Sequence, residues 1–118
     1  MGQNQDNFKR GTAEMLVLYL LQKEDLYGYQ ITQSFAQKSH GTYTMLEGSL
    51  YPILYRLTEL GYITDYTKLV GKRRQRRYYH LEESGREYYK EILNDYLVIT
   101  RSINQILDRE VEDDAGEQ

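Results

Sequence analysis

The sequence predicts a mainly α, α+β fold: three helices, a β-hairpin with a basic tip, and one long C-terminal helix. Three observations carry this. The run Met15 to Leu21 is almost wholly apolar, which suits a central helix and falls far short of the ~20 residues a membrane span needs. Two segments rich in β-branched and aromatic residues, 62–69 and 77–81, flank a glycine and a cluster of lysine and arginine. Downstream of them, apolar residues recur at helical spacing as far as Leu107.

Taken in order, Thr12 can cap a helix whose core is Ala13, Met15, Leu16, Leu18, Tyr19, Leu20 and Leu21, ending near Lys23. Tyr27-Gly28 opens a second helix with Tyr27, Ile31 and Phe35 on one buried stripe and Gln30, Gln33, Gln37 and Lys38 outward; Gly41 ends it. A third helix carries Leu50, Leu54, Leu57 and Gly61 on one face. Either Ser49 caps it, with Pro52 in the permissive first turn, or it begins near Leu46 and tolerates Pro52. Its opposite face holds Tyr51, Tyr55, Arg56 and Glu59. Segments 62–69 and 77–81 read as strands, and 70–76 as the turn between them. Alternation puts Arg77 on the face of Tyr79. If Tyr79 is buried, Arg77 must emerge at the edge or pair with an acid, while Arg76 and Tyr78 face outward.

From Glu82 to about Leu107 the chain reads as one helix. Tyr89, Ile92, Tyr96, Ile99, Ile103 and Ile106 are spaced 3, 4, 3, 4, 3, the pattern of a two-helix seam. The stripe is wider than one small head can cover, so self-association is the economical reading. The alternative is a helix folded back on its own domain. The domain expectation is therefore 1–81 for the head, 82–107 for a dimerisation helix and 108–118 for an acidic, disordered tail.

Charge is segregated along the 118 residues. The net charge is −3, yet residues 108–118 hold six acids and one base, which leaves residues 1–107 at +2. Between Lys38 and His80 there are eight basic residues to three acidic ones. Such a local excess suits a polyanion that the overall charge conceals. No cysteine is present, which excludes disulfides, thiolate metal sites and cysteine nucleophiles. His40 and His80 are the only histidines, without metal-ligand spacing, and there is no glycine-rich phosphate loop. The sequence offers no parts for an enzyme, a metal or another cofactor. Nor does its first stretch, Met1 to Phe8, have the basic start and apolar core of a signal peptide, so a cytoplasmic location is expected.

Helix, helix, turn, helix, basic hairpin is the order of a winged helix-turn-helix. In such units a helix enters the DNA major groove and the hairpin adds phosphate or minor-groove contacts. Lys72, Arg73 and Arg74 at the tip would neutralise phosphate and release counterions, with Arg76 beside them. A winged helix that binds an acidic protein partner is the alternative, since fold does not fix function.

Four segments also resemble successive motifs of the PadR family of winged-helix transcriptional regulators: Leu26-Tyr27-Gly28-Tyr29-Gln30-Ile31, then residues 49–57, then Gly61-Tyr62-Ile63, then residues 76–81. The resemblance covers about residues 9–107, with the motifs in order and at matching spacing. It implies a homodimeric repressor made through a single C-terminal helix and released from operator DNA by a small aromatic or drug-like inducer. It implies that Ser49, Tyr51, Pro52, Tyr55 and Arg56 lie at the DNA, that Tyr29 lies near phosphate, and that Lys72, Arg73 and Arg74 reach the neighbouring groove. It further implies that Tyr96 lines a ligand pocket between subunits. Two departures stand out. Glu82 replaces the family's usual threonine at the start of the last helix, and there is no Trp, so Tyr96 is a smaller stacking platform.

Overall fold

The computed structural model describes residues 2–109. The elements run α1 (Gln3–Lys9), α2 (Ala13–Leu20), β1 (Leu26–Tyr27), α3 (Gly28–Lys38), α4 (Glu47–Glu59), β2 (Ile63–Val70), β3 (Arg74–Leu81) and α5 (Glu83–Ile106). The three strands form one antiparallel sheet in the order β1-β3-β2. This is a winged helix-turn-helix head with a long helix leaving it. The acidic segment expected at 108–118 lies outside the described residues from position 110 onward.

The core is built where the apolar periods converge. Val17, Leu18 and Leu21 from α2 and its turn, Ile31 and Phe35 from α3, and Leu50, Leu54 and Leu57 from α4 close around Ile63, Tyr79 and Leu81 of the hairpin. Every one of these is excluded from solvent, and burial pushes the Tyr79 phenol above its ordinary pKa. Tyr19, expected in the core, is half exposed and leans instead on Tyr89 of α5, with ring centroids 6.1 Å apart. On a helix this apolar, one face still meets solvent once α3, α4 and α5 occupy the others.

Several boundaries differ from expectation. Helix α1 precedes the predicted first helix and buries no residue, so it left no hydrophobic period to read. Thr12 is helical in backbone and caps nothing through its side chain. Its hydroxyl donates to Lys9 O at 2.6 Å and meets the Tyr43 hydroxyl at 2.7 Å, tying α1 to the loop after α3. Helix α2 stops at Leu20, three residues early.

Of the two starts considered for α4, the structure takes the earlier. Leu46 is the extended N-cap residue, its carbonyl accepts the N–H groups of Ser49 and Leu50, and Pro52 lies within the helix. Ser49 is thus a first-turn residue and not the cap. The hairpin strands also run further than predicted. They pair from Ile63↔Leu81 to Val70↔Arg74, which shrinks the tip to Gly71, Lys72 and Arg73. Gly71, with φ at 69°, supplies the left-handed turn. Strand β1 pairs Leu26 with Tyr79 and Tyr27 with Tyr78, and two residues are too few to show an alternation.

Replacing Leu57 by alanine should cost about 2–5 kcal/mol, the usual penalty for a cavity at a fully buried leucine. Urea unfolding followed by circular dichroism measures it, and a loss under 1 kcal/mol (about a fifth of the upper figure) would mean that α4 is not anchored by this residue.

Candidate nucleic-acid interface

With Leu50, Leu54 and Leu57 buried, helical geometry turns Ser49, Tyr51, Pro52, Tyr55 and Arg56 outward, and all five are exposed. Tyr55 is the most open of the tyrosines here, 69% exposed. Tyr51 lies over the start of α3: a β-carbon added at Gly28 would sit 2.6 Å from the Tyr51 hydroxyl oxygen. Gly28 therefore makes room for this ring, and any side chain there would displace it. Arg56 is held in an ion pair by Glu14 of α2, so its guanidinium is fixed to the scaffold at the edge of the face.

The start of α3 and the wing share an aromatic cluster. Tyr29, exposed, stacks on Tyr27 at 6.5 Å; Tyr27 meets Tyr78 of β3 edge-on at 5.4 Å; Tyr78 stacks on Tyr66 of β2 at 5.7 Å. The Arg76 guanidinium lies 4.0 Å above the Tyr27 ring and Lys68 Nζ 5.3 Å from that of Tyr78. Arg76 thus stands with the cluster and away from the tip. Lys68, Tyr27, Tyr66 and Tyr78 were not among the predicted site residues, although the alternation 64, 66, 68 opposite 76, 78, 80 marks one face of the hairpin.

Arg77 follows the other face, as expected from a buried Tyr79, and pairs with Asp65 at 3.1 Å. At the tip Lys72 and Arg73, and beside it Arg74 at the start of β3, are exposed, and among the described residues none has an acidic partner within ion-pair distance. The tip is the concentrated, uncompensated positive charge of the head.

Asp25 fastens the loop before β1 to the wing. It accepts a hydrogen bond from the Tyr66 hydroxyl at 2.7 Å and pairs with His80 Nδ1 at 2.8 Å. Burial opposes its ionisation, but the bonds from Tyr66 and His80, with Lys68 nearby, outweigh this and hold the carboxyl below its usual 3.8. The same bond raises the Tyr66 phenol.

On α5 the predicted seam divides in two. Tyr89 and Ile92 are half-buried against the chain's own core, so the fold-back alternative is realised for the first third of the stripe. Tyr96, Ile99, Ile103 and Ile106 are exposed, the last by 80%, alongside Leu97, Val98 and Leu107. An open cavity of about 180 Å³ lies between α2 and α3 against Leu16, Tyr19, Leu20 and Phe35. No helix among the described residues is long and apolar enough to cross a membrane.

Residues 17–91 match the profile of the transcriptional regulator PadR-like family, more than half of the chain. The chain belongs to that family. PadR-like proteins are transcriptional regulators and not enzymes. Among relatives, the negative transcriptional regulator PadR of Bacillus subtilis is 34% identical over 82 residues, 70% of this chain and 43% of that protein. The chain therefore spans less than half the length of B. subtilis PadR. A transcriptional regulator from Clostridium thermocellum superposes with a TM-score of 0.79 at 31% identity, covering 84% of this chain and 96% of that one. B. subtilis PadR in complex with operator DNA superposes with a TM-score of 0.65 at 30% identity, over 70% of this chain and 47% of that one.

Because the Asp25 carboxyl ionises more readily folded than unfolded, it adds stability above pH 3.8 that is lost as pH falls through its lower native value. The parent should be more stable than Asp25→Asn at neutral pH, and the urea midpoints of the two should converge as pH drops below 3.8. A gap that stays constant down to pH 2 (roughly two units below the usual carboxylate value) would mean that the ionised carboxylate adds nothing.

Proposed function

We propose that this PadR-like chain is a homodimeric repressor that binds an inverted-repeat operator in double-stranded DNA and lets go when a small aromatic or drug-like inducer binds. The observation that carries the reading is that one head presents both the uncompensated Lys72-Arg73-Arg74 end of the wing and the outward Ser49, Tyr51, Pro52 and Tyr55 face of α4. A helix end offering tyrosine and serine hydroxyls can exchange hydrogen bonds with base edges or phosphate, and the tip supplies sequence-independent attraction. Tyr29, with its hydroxyl-bearing ring exposed at the start of α3, is placed to meet backbone phosphate. Arg56 and Arg76 take part as cations already oriented by Glu14 and by the Tyr27 ring. Repression is favoured by kinship with the negative regulator of B. subtilis, and operator binding by the DNA complex of that protein.

Residues 1–81 are the DNA-binding head in this reading, and 82–107 the dimerisation helix. Dimerisation accounts for the exposed two thirds of the seam, because Tyr96, Ile99, Ile103 and Ile106 form an apolar surface on a helix that leaves its own domain. Pairing two such helices would set two α4 helices about one DNA turn apart, ~34–36 Å. Tyr96, at the boundary between the self-packed and the exposed parts, is the residue through which an inducer held between subunits would act. Release requires that the inducer bind the free dimer more tightly than the DNA-bound one.

Fluorescence anisotropy with the chain's own upstream DNA, across a salt series and against scrambled competitor, tests the reading. Tight binding that survives the competitor is expected. Lys72/Arg73/Arg74→Ala should weaken it at every salt concentration and lower the slope of log K against log salt by about 2–3, near 0.9 for each phosphate no longer neutralised. An unaltered slope removes the wing from the interface, and equal competition by scrambled DNA favours a protein partner instead. Separately, Ile99→Asp should give a monomer by light scattering, whereas a persisting dimer would place the interface elsewhere.

A further inference from the structure

The corner where α4 passes into β2 is joined to the first two turns of α5 by contacts that the DNA-binding role leaves unused. Gly61, with φ at 82°, closes α4, and the Tyr62 N–H donates back to Leu57 O at 3.0 Å. From the other side, the Glu82 N–H donates to Tyr62 O at 3.0 Å and the Ser84 hydroxyl to Gly61 O at 2.9 Å. Gly85 is buried against the same carbonyl: a β-carbon there would overlap Tyr62 O and lie 2.7 Å from Leu81 Cδ1. One turn later Tyr88 stacks on Tyr62, with centroids 4.3 Å apart and rings 7° from parallel. The opposite flank is held as well, since the Arg86 guanidinium donates to Gln22 O at 3.3 Å and Tyr89 leans on Tyr19.

These contacts share one property. Between the α4–β2 corner and α5 they run from backbone to backbone or through a short hydroxyl or a flat ring, and the long Arg86 side chain reaches only the turn after α2. A joint of that kind has little compliance. From Tyr96 onward the large apolar side chains of α5 are exposed, so this part of the helix is a lever whose direction is set at Gly85.

We propose that the joint centred on Gly85 is a specificity-determining element: it fixes the angle between α4 and α5, and with it the half-site separation that the dimer accepts. The inference rests on the dimeric DNA-binding function proposed for the chain. Between Gly85 and Gln105 the helix rises ~30 Å, so a tilt of about 10° at the joint carries the far end by about 5 Å. That exceeds the ~3.4 Å step between base pairs, and small errors at Gly85 become errors of register on DNA. Ser84 and Tyr88 are positioning residues that resist the tilt, and neither is required to touch DNA.

The absence of cysteine allows clean labelling. Spin labels at Gln37→Cys on α3 and Gln105→Cys on α5, both exposed positions, report the angle within one chain when the protein is diluted with unlabelled parent. The parent should show one narrow distance, and Gly85→Ala should displace it by about 5 Å or broaden it to match, at unchanged helical content. Should Gly85→Ala not fold, Tyr88→Leu keeps the glycine contact, removes the stack, and should still broaden the distribution. On DNA, duplexes with two half-sites at stepped spacings should show the preferred spacing shifted by one base pair or more in the same variants, while affinity for a single half-site stays near that of the parent. Unchanged distances overturn the proposal, as does equal weakening on single and paired half-sites with an unmoved optimum. A parent without any spacing preference overturns the dimeric DNA-binding reading and the spacing role with it, while the label distances still judge the joint.

Discussion

Burial of Leu50, Leu54 and Leu57 is the constraint from which the rest of the head follows. These residues fill one side of α4 against Ile31 and Phe35 of α3 and Ile63 of β2, and a helix has only one opposite side to present. The side chains on that opposite side are therefore chosen by the core as much as by any ligand. Tyr51 and Tyr55 remain exposed because the leucines cannot. Gly28 and Glu14 then refine the arrangement: the glycine lets the Tyr51 ring lie across α3, and the carboxylate holds Arg56 against α2. Both adjustments reduce the rotamer freedom that an ordered contact would otherwise have to remove.

The wing is held by different physics. Its hairpin is anchored in the core only at Ile63, Tyr79 and Leu81, and its outer face packs as a surface cluster of four tyrosines with Arg76, Lys68, Asp25 and His80 around it. Tyrosine suits such a layer because the ring packs while the hydroxyl remains solvated or bonded. This explains how a chain with thirteen tyrosines and low mean hydropathy builds a defined head from a small aliphatic core. The tyrosines extend packing outward to a surface that leucine could not occupy without exposing an apolar patch.

What the sequence revealed follows the same division. Elements with a hydrophobic period were legible: the leucine face of α4, the Ile31 and Phe35 stripe of α3, and α5 over nearly its full length. Alternation left Arg77 either to emerge at the edge or to pair with an acid, and the structure pairs it with Asp65. Elements without a period were not legible. Helix α1 buries nothing, β1 is two residues long, and the strand residues Arg74, Gln75 and Arg76 read as turn because their side chains are all polar. Long-range partners were also hidden, since no local pattern announces that Glu14 meets Arg56 or that Asp25 meets His80. The helical period of α5 was legible, but its division before Tyr96 was not, because only tertiary packing sets Tyr89 and Ile92 against the core and leaves Tyr96 exposed.

A chain of net charge −3 can still bind a polyanion if the charge near the contact is positive. The relevant length is the Debye length, ~8 Å at physiological ionic strength, beyond which exposed charges hardly sense one another. The strands of the wing are eight residues each, so at ~3.3 Å per residue the tip stands on the order of 25 Å from the base of the hairpin, about three Debye lengths. Glu82 and Glu83, at that base, are therefore electrostatically remote from Lys72 and Arg73. Asp65 lies close to the base as well and is already matched by Arg77. What a phosphate near the tip senses is the local cluster, and the total charge of the chain bears on solubility more than on this contact. Extending the hairpin to Val70 and Arg74 separates the cations of the tip from the acids of the head, which a shorter wing with the same composition would not do.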